Sequence, residues 1–188
     1  MILKTNDGGL NWARLNSGVV CGLRAVDFPL DATTGYAAGS AIVKTTDGGA
    51  TWTLVRNGMG YTGSPCSMDF PGRAEVGYYC CYTGYVWGIL KTTDGGANWT
   101  CPDSGVGCND LCFPVDGQTG YAVGGSGAIR KTTDGGVTWI MQQSDATVDL
   151  KAVHFPRNNT TGWIVGNGGT VLKTTDGGVS WNRRILAE

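Results

Sequence analysis

Two sets of side chains in this sequence are of types that do chemistry. Asp27, Asp69, Cys112 and His154 are all potential metal ligands or proton carriers, and each stands one residue before a Phe-Pro pair. Asp7, Asp47, Asp94, Asp134 and Asp176 form the second set, each followed by Gly-Gly and then by Trp12, Trp52, Trp99, Trp139 or Trp181. Spacing decides what either set can do. Glycoside hydrolysis by a carboxyl pair needs the two groups within about 10 Å, and a metal needs its ligands at about 2.0–2.3 Å. His154 is the only histidine, and no Cys, Asp or Glu adjoins it. No Gly-x-Ser-x-Gly nucleophile motif occurs, and Gly124-Gly125-Ser126-Gly127 falls between strands rather than opening a phosphate-binding helix.

The elements that position these residues are repeated. Lys-Thr-x-Asp-Gly-Gly-x-x-Trp occurs five times, Phe-Pro falls at 28–29, 70–71, 113–114 and 155–156, and a Gly-aromatic pair follows at Gly35-Tyr36, Gly77-Tyr78, Gly120-Tyr121 and Gly162-Trp163. The Phe-Pro spacing is 42, 43 and 42 residues, the size of one propeller blade. Within the last period, Leu150 to Phe155, Gly162 to Val165, Val171 to Thr174 and Ser180 to Ile185 read as four short strands separated by Gly, Pro, Asn and Asp turns. No stretch has a helical period. The expected fold is all-β: a propeller of about five blades, each of four antiparallel strands a to d, with the first blade reduced to strands c and d.

The turn has its own mechanism. In Thr45-Thr46-Asp47-Gly48-Gly49-Ala50-Thr51-Trp52 the carboxylate can accept backbone N–H groups that follow it, the glycines supply left-handed backbone, and the Trp covers the sheet edge. Each aspartate sits in its own turn, a blade away from the next, so all five Asp-box residues and their tryptophans are read as structural. The spacing matches the Asp-box pattern Ser/Thr-x-Asp-x-Gly-x-x-Trp at every site. With the Phe-Pro and Gly-aromatic markers, the whole chain resembles the Asp-box (BNR-like) propellers, and among them the photosystem II stability/assembly factor-like family. That resemblance implies a propeller with binding or assembly-chaperone roles and no known active site. Sialidases and xyloglucanases carry the same turn on larger, catalytic propellers. The arginines here do not reproduce the sialidase arrangement.

Residues 1–15 hold only the first Asp box, and full blades are expected at about 20–58, 62–103, 106–144 and 147–187 within one domain. An open blade edge needs cover, either by missing chain or by another copy of the protein, so a homo-oligomer is one expectation. The d–a and b–c loops share the face opposite the Asp boxes. On that face the third blade departs from the repeat, and Arg56, Tyr61, Tyr82, Tyr85 and Trp87 are the expected partner-binding residues, since aromatics beside an arginine anchor interfaces and stack on sugars. The pre-Phe set Asp27, Asp69, Cys112 and His154 is read as a polar ring too wide for ligation, so no metal and no cofactor is expected.

Bulk properties exclude several classes. Fourteen basic and fifteen acidic residues give a net charge of −1 with no basic stripe for nucleic acid, and no apolar run reaches the roughly 20 residues needed to span a bilayer. Seven cysteines include six between 66 and 112; Cys66 with Cys81, and Cys101 with Cys108, are placed as bridging pairs would be. Such bridges, with the family resemblance, favour an extracytoplasmic location, although no signal peptide is visible. The expected function is non-catalytic binding or scaffolding of a protein partner through the face opposite the Asp boxes. The alternative is recognition of a glycan, or a piece of a sialidase- or xyloglucanase-like hydrolase.

Overall fold

The computed structural model describes residues 1–57, 67–82, 87–105, 107–156 and 158–184. The chain is all-β and forms an incomplete propeller. Blade 1 is the hairpin β1 (Ile2–Lys4) and β2 (Ala13–Leu15). Blade 2 orders β3 (Leu23–Asp27), β4 (Gly35–Gly39), β5 (Ala41–Thr45) and β6 (Thr53–Asn57) side by side. Blade 3 does the same with β7 (Ser67–Asp69), β8 (Gly77–Tyr82), β9 (Trp87–Thr92) and β10 (Thr100–Ser104). Blade 4 uses β11 (Asp110–Cys112), β12 (Gly120–Val123), β13 (Ile129–Thr132) and β14 (Ile140–Met141), and blade 5 uses β15 (Leu150–His154), β16 (Gly162–Gly166), β17 (Thr170–Thr174) and β18 (Asn182–Arg183). Among the described residues, the helical elements are two short 3-10 turns, Gly125–Gly127 and Asn167–Gly169.

Each sheet is small, so the core lies between blades rather than within one. Strand b shows this: every residue of β4 and β12 is buried because both faces are covered, whereas β16 of the last blade alternates and leaves Trp163 and Val165 exposed. At each full seam a tyrosine of one blade stacks on the Phe-Pro phenylalanine of the next. The pairs are Tyr36 with Phe70 (ring centroids 3.9 Å apart), Tyr78 with Phe113 (3.7 Å) and Tyr121 with Phe155 (3.9 Å). The Asp-box tryptophan of that next blade meets the same phenylalanine edge-on, at 6.1 Å for Trp99 and 6.0 Å for Trp139.

One set of polar bonds at the seam reaches from each of blades 2 to 4 into the blade after it. The Tyr36 hydroxyl lies 2.9 Å from the Ala74 carbonyl and 3.0 Å from the Gly95 carbonyl, and the Lys44 ammonium donates to that same Gly95 oxygen at 3.2 Å. Tyr78 and Lys91 repeat this on Gly117 and Gly135, and Tyr121 and Lys131 on Asn159 and Gly177. The lysine also sits over the tyrosine ring, at 5.2 Å for Lys44 and Tyr36.

The Asp box forms as its residue types require. In blade 2 Thr45 Oγ1 donates to Asp47 Oδ1 (2.7 Å) and accepts Gly49 N–H (2.8 Å), while Asp47 accepts the Thr51 N–H at 2.9 Å and the Thr51 hydroxyl at 2.6 Å. Gly48 and Gly49 hold φ of 70° and 89°, which a side chain would strain. The indole N–H of Trp52 closes the turn on the Gly49 carbonyl at 3.1 Å. Trp52, Trp99 and Trp181 are buried and Trp139 half-buried; Trp12, in the two-stranded blade, is 58% exposed.

Candidate functional site

Because consecutive strands are antiparallel, the c–d turns and the a–b loops lie at one end of each blade, and the b–c turns and d–a links at the other. The five Asp boxes therefore occupy a rim, each closed on itself. Hydrogen bonds hold their carboxyls low: Asp7, through the N–H and amide of Asn11, to about 2, and Asp47, through the hydroxyl and N–H of Thr51, also to about 2. Asp134 and Asp176 are held to about 2 in the same way by Thr138 and Ser180, and Asp94 is lowered by Asn98. These carboxylates have their hydrogen bonds inside their own turns.

The pre-Phe set also spends its polar atoms on structure. Asp27 Oδ2 accepts the backbone N–H of Phe70 at 2.8 Å, Asp69 Oδ2 accepts that of Phe113 at 2.5 Å, and the Cys112 sulfur faces that of Phe155. Each inner strand is thus pinned to the next one round the axis, whereas His154, in the last blade, is exposed. Asp110, which the repeat pattern gave no reason to single out because Ala25, Ser67 and Ala152 hold its position, accepts the Val153 N–H at 2.8 Å and a bond from Ser67. Burial pushes Asp69 up to about 7, opposed by the Phe113 N–H and reinforced by the charges of Asp27 and Asp110. Burial raises Asp27 and Asp110 as well, and lifts the Cys112 thiol to about 11. A cleft of about 570 Å³ runs along these strands, lined by Asp69, Asp110, Cys112 and His154 among others. Among the described residues no three His, Cys, Asp or Glu side chains come together as a metal site.

The opposite face carries a second cleft, of about 430 Å³, between blades 4 and 5. Asn109, Ser126, Arg130 and Asp149 line it, all on or next to the b–c turn of blade 4 and the d–a links. Ser126 holds a left-handed backbone (φ 54°, ψ 35°) where blade 5 has Gly168, a conformation that costs a non-glycine residue about 1 kcal/mol. Its N–H donates to Asp149 Oδ1 at 3.2 Å, and Lys151 bridges the other oxygen at 3.0 Å, lowering the carboxyl. Asn109 Nδ2 donates to the Leu150 carbonyl at 2.7 Å, locking the two links together. The sequence pointed to this face but not to this cleft; the one visible signal was a serine where glycine is the easy residue.

Of the expected binding residues, Arg56 lies in β6 and donates from Nη1 to the Trp99 carbonyl of the next blade at 3.1 Å, so at least one of its donors holds a seam. Tyr82 and Trp87 are the last register pair of the β8–β9 ladder, and their side chains, like Tyr61 and Tyr85, lie outside the described residues. The expected Cys101–Cys108 bridge does not form. Cys108 turns into the seam beside Cys80, its thiol donating to the Asp110 carbonyl at 3.2 Å and its pKa raised by burial, while Cys101 is exposed on the outer strand β10. The Cys66–Cys81 pair falls outside the described residues. No helix is long and apolar enough to cross a membrane among the described residues.

Comparison with known proteins agrees with this architecture. The family model described as photosynthesis system II assembly factor YCF48 matches residues 103–188. A comparison with curated protein sequences gives no match. Among solved structures, the GH74 enzyme of Niastella koreensis aligns at a TM-score of 0.69 and 24% identity, over 86% of this chain and 30% of that one, so the chain spans less than a third of that enzyme. YCF48 from Cyanidioschyzon merolae aligns at 0.62 and 21% identity over 88% of this chain and 56% of that one. YCF48 bound to D1 peptide aligns at 0.58 and 16% identity, over 92% and 84%. At these identities the structural likenesses establish the fold alone. With the five Asp boxes they show an Asp-box (BNR) repeat β-propeller, similar over residues 103–188 to the family model described as photosynthesis system II assembly factor YCF48.

Proposed function

We propose that the chain is a non-catalytic binding module of the assembly-factor kind, holding a protein partner on the face opposite its Asp boxes. The observation that carries this reading is the division of polar groups between the two ends. At the rim and along the inner strands the conspicuous carboxylates hold their own turns or the next blade. On the opposite face, the polar cleft of Asn109, Ser126, Arg130 and Asp149 is built around a strained serine, and backbone strain that the fold does not need is a mark of a working surface. That cleft lies within the residues matched by the YCF48 family model, and one solved relative of the fold is YCF48 in complex with a peptide. Asn109 and Arg130 offer donors and Asp149 acceptors, a set suited to the backbone and charged termini of a peptide.

The test is binding of a peptide array beside a glycan array, with Arg130→Ala and Asp149→Ala as variants. Peptide binding that weakens about tenfold in the variants, with unchanged melting temperature, is the expected outcome. Glycan binding, or hydrolysis of a xyloglucan by the chain, would replace this reading with the carbohydrate one.

A further inference from the structure

Two positions of the repeat meet across a seam: the second residue after the strand b tyrosine of one blade, and the fifth residue before the Phe-Pro phenylalanine of the next. Between blades 4 and 5 these are Val123 and Leu150, packed in one buried cluster. Between blades 3 and 4 both are cysteine, Cys80 and Cys108. They are 0% and 1% exposed, in a cluster with Tyr78, Ile89, Leu111 and Phe113. The Cys80 thiol donates to the Cys108 carbonyl at 3.6 Å, and the Cys108 thiol donates to the Asp110 carbonyl at 3.2 Å. The two side chains are also within hydrogen-bonding reach of each other. A single buried cysteine fills space as a small apolar residue does and asks for no further account. Cysteines at both facing positions of one seam, with their side chains in contact, form a pair that oxidation can join.

We propose that Cys80 and Cys108 are an oxidation site, closing to a disulfide that staples blade 3 to blade 4. The oxidant is a low-molecular-weight disulfide such as glutathione disulfide. One cysteine thiolate attacks a sulfur of the oxidant, forming a mixed disulfide and releasing one small thiolate. The second cysteine, deprotonated in turn, attacks the protein sulfur of that mixed disulfide and expels the other small thiolate. The two protein thiols lose two electrons and two protons, and one small disulfide becomes two thiols. The closed seam resists this reaction, because burial and the neighbouring thiol raise the pKa of Cys108 and keep it protonated. Exchange therefore takes place when the seam opens or before it first closes, and the finished bridge is shielded from reductants in the same way. The bond closes a loop that holds β9 and β10, so it restricts the unfolded chain as well as tying two blades together. The site does not depend on what the polar cleft binds.

The test is to refold the reduced full chain in a glutathione redox buffer, alkylate the remaining thiols, and digest with trypsin and an aspartate-directed protease. Fragment 103–109 holds Cys108 as its only cysteine, and fragment 74–91 holds Cys80 and Cys81. A linked pair of these fragments is expected, separated by reduction, with tandem mass spectra placing the bond on Cys80. The link should be absent from Cys80→Ala and Cys108→Leu, which carry the residues found at these positions in blade 2 (Ala38) and blade 5 (Leu150). The bridged chain should melt about 5 °C or more above the reduced chain, and that gap should close in either variant. Dithiothreitol should open the bridge at least about tenfold faster in denaturant than in the native state. Absence of the linked pair, a bond placed on Cys81, or a bridged chain no more stable than the reduced one would overturn the proposal. The wild-type spectra decide the pairing even where a variant fails to fold.

Discussion

The seam between blades 3 and 4 and the seam between blades 1 and 2 are built from the same residue types and end in different states. At the first, Phe113 is stacked on Tyr78, crossed by Trp139 and buried, and the Tyr78 hydroxyl and the Lys91 ammonium both reach Gly135. At the second, Phe28 keeps its tryptophan, and Lys4 keeps its glycine, but no ring among the described residues stacks on Phe28. The tryptophan and lysine contacts are therefore the same at both seams. The lesson is that the turn chemistry of each blade forms by itself, while burial is made only by pairs of blades. This is how a repeat protein is expected to divide its stability, into a term for each unit and a larger one for each interface.

Substitutions at equivalent positions test that division. The largest contrast should be Phe113→Ala against Phe28→Ala. The first should cost roughly 3–5 kcal/mol in chemical denaturation and the second less than about 1 kcal/mol, because only one of them opens a closed core. Equal losses would mean that the first seam is filled in solution. Trp99→Ala and Trp12→Ala should divide in the same way.

The inner strands give the next effect, through pH. Asp69 has a folded pKa near 7, above the ordinary carboxylate value of 3.8, so the folded state holds its proton more tightly than the unfolded one. Its contribution is therefore full at acid pH and is lost as pH rises from about 4 through about 7. Asp69→Asn keeps an oxygen for the Phe113 N–H and removes that loss. The variant should melt above the parent at pH 8 and show no gain at pH 4; a gain independent of pH would point to a change in packing instead.

Tyr78→Phe should be smaller, about 1–2 kcal/mol, as it strips one donor from the Gly117 and Gly135 carbonyls and leaves the ring in place. Trp163→Phe in the open last blade, whose ring meets no following blade among the described residues, should be close to neutral.

The smallest effect should come from the rim. Asp47→Ala should lower the melting temperature slightly at neutral pH and leave peptide binding unchanged. A group held near 2 contributes above its unfolded pKa and loses that contribution as pH falls toward 2, so the gap between variant and parent should narrow in acid. Loss of binding at unchanged stability would return the Asp boxes to the functional face of the comparison.

Much of this architecture could be read from the chain, and the reason is repetition. Lys44, Asp47 and Trp52 recur with the same spacing in five places, so each turn is specified by residues within nine positions of one another. What the sequence concealed depends on neighbours that are far away in the chain. Phe28 and Phe70 stand in identical Phe-Pro pairs, and the burial of Phe70 depends on Tyr36, which lies 34 residues before it and stacks on it. Asp110 interrupts no motif, yet it joins three blades through Ser67 and Val153. Cys101 and Cys108 are close in sequence, but Cys101 is exposed and Cys108 is buried in the seam with Cys80. Ser126 was visible only as a non-glycine among glycines.

One set of seam bonds bears on the order of assembly. Blades 2, 3 and 4 each extend a tyrosine and a lysine toward a glycine carbonyl that lies later in sequence, 59 residues later for Tyr36 and Gly95 and 51 for Lys44 and the same glycine. During synthesis a finished blade must therefore wait with its aromatic face uncovered until the Asp-box turn of the next has been made. Growth would proceed as a series of such waits, each ended by one turn closing on the blade before it. Nascent chains stalled at successive lengths should gain protease resistance in steps as Gly95, Gly135 and Gly177 leave the ribosome; a single step at full length would show that the blades close together.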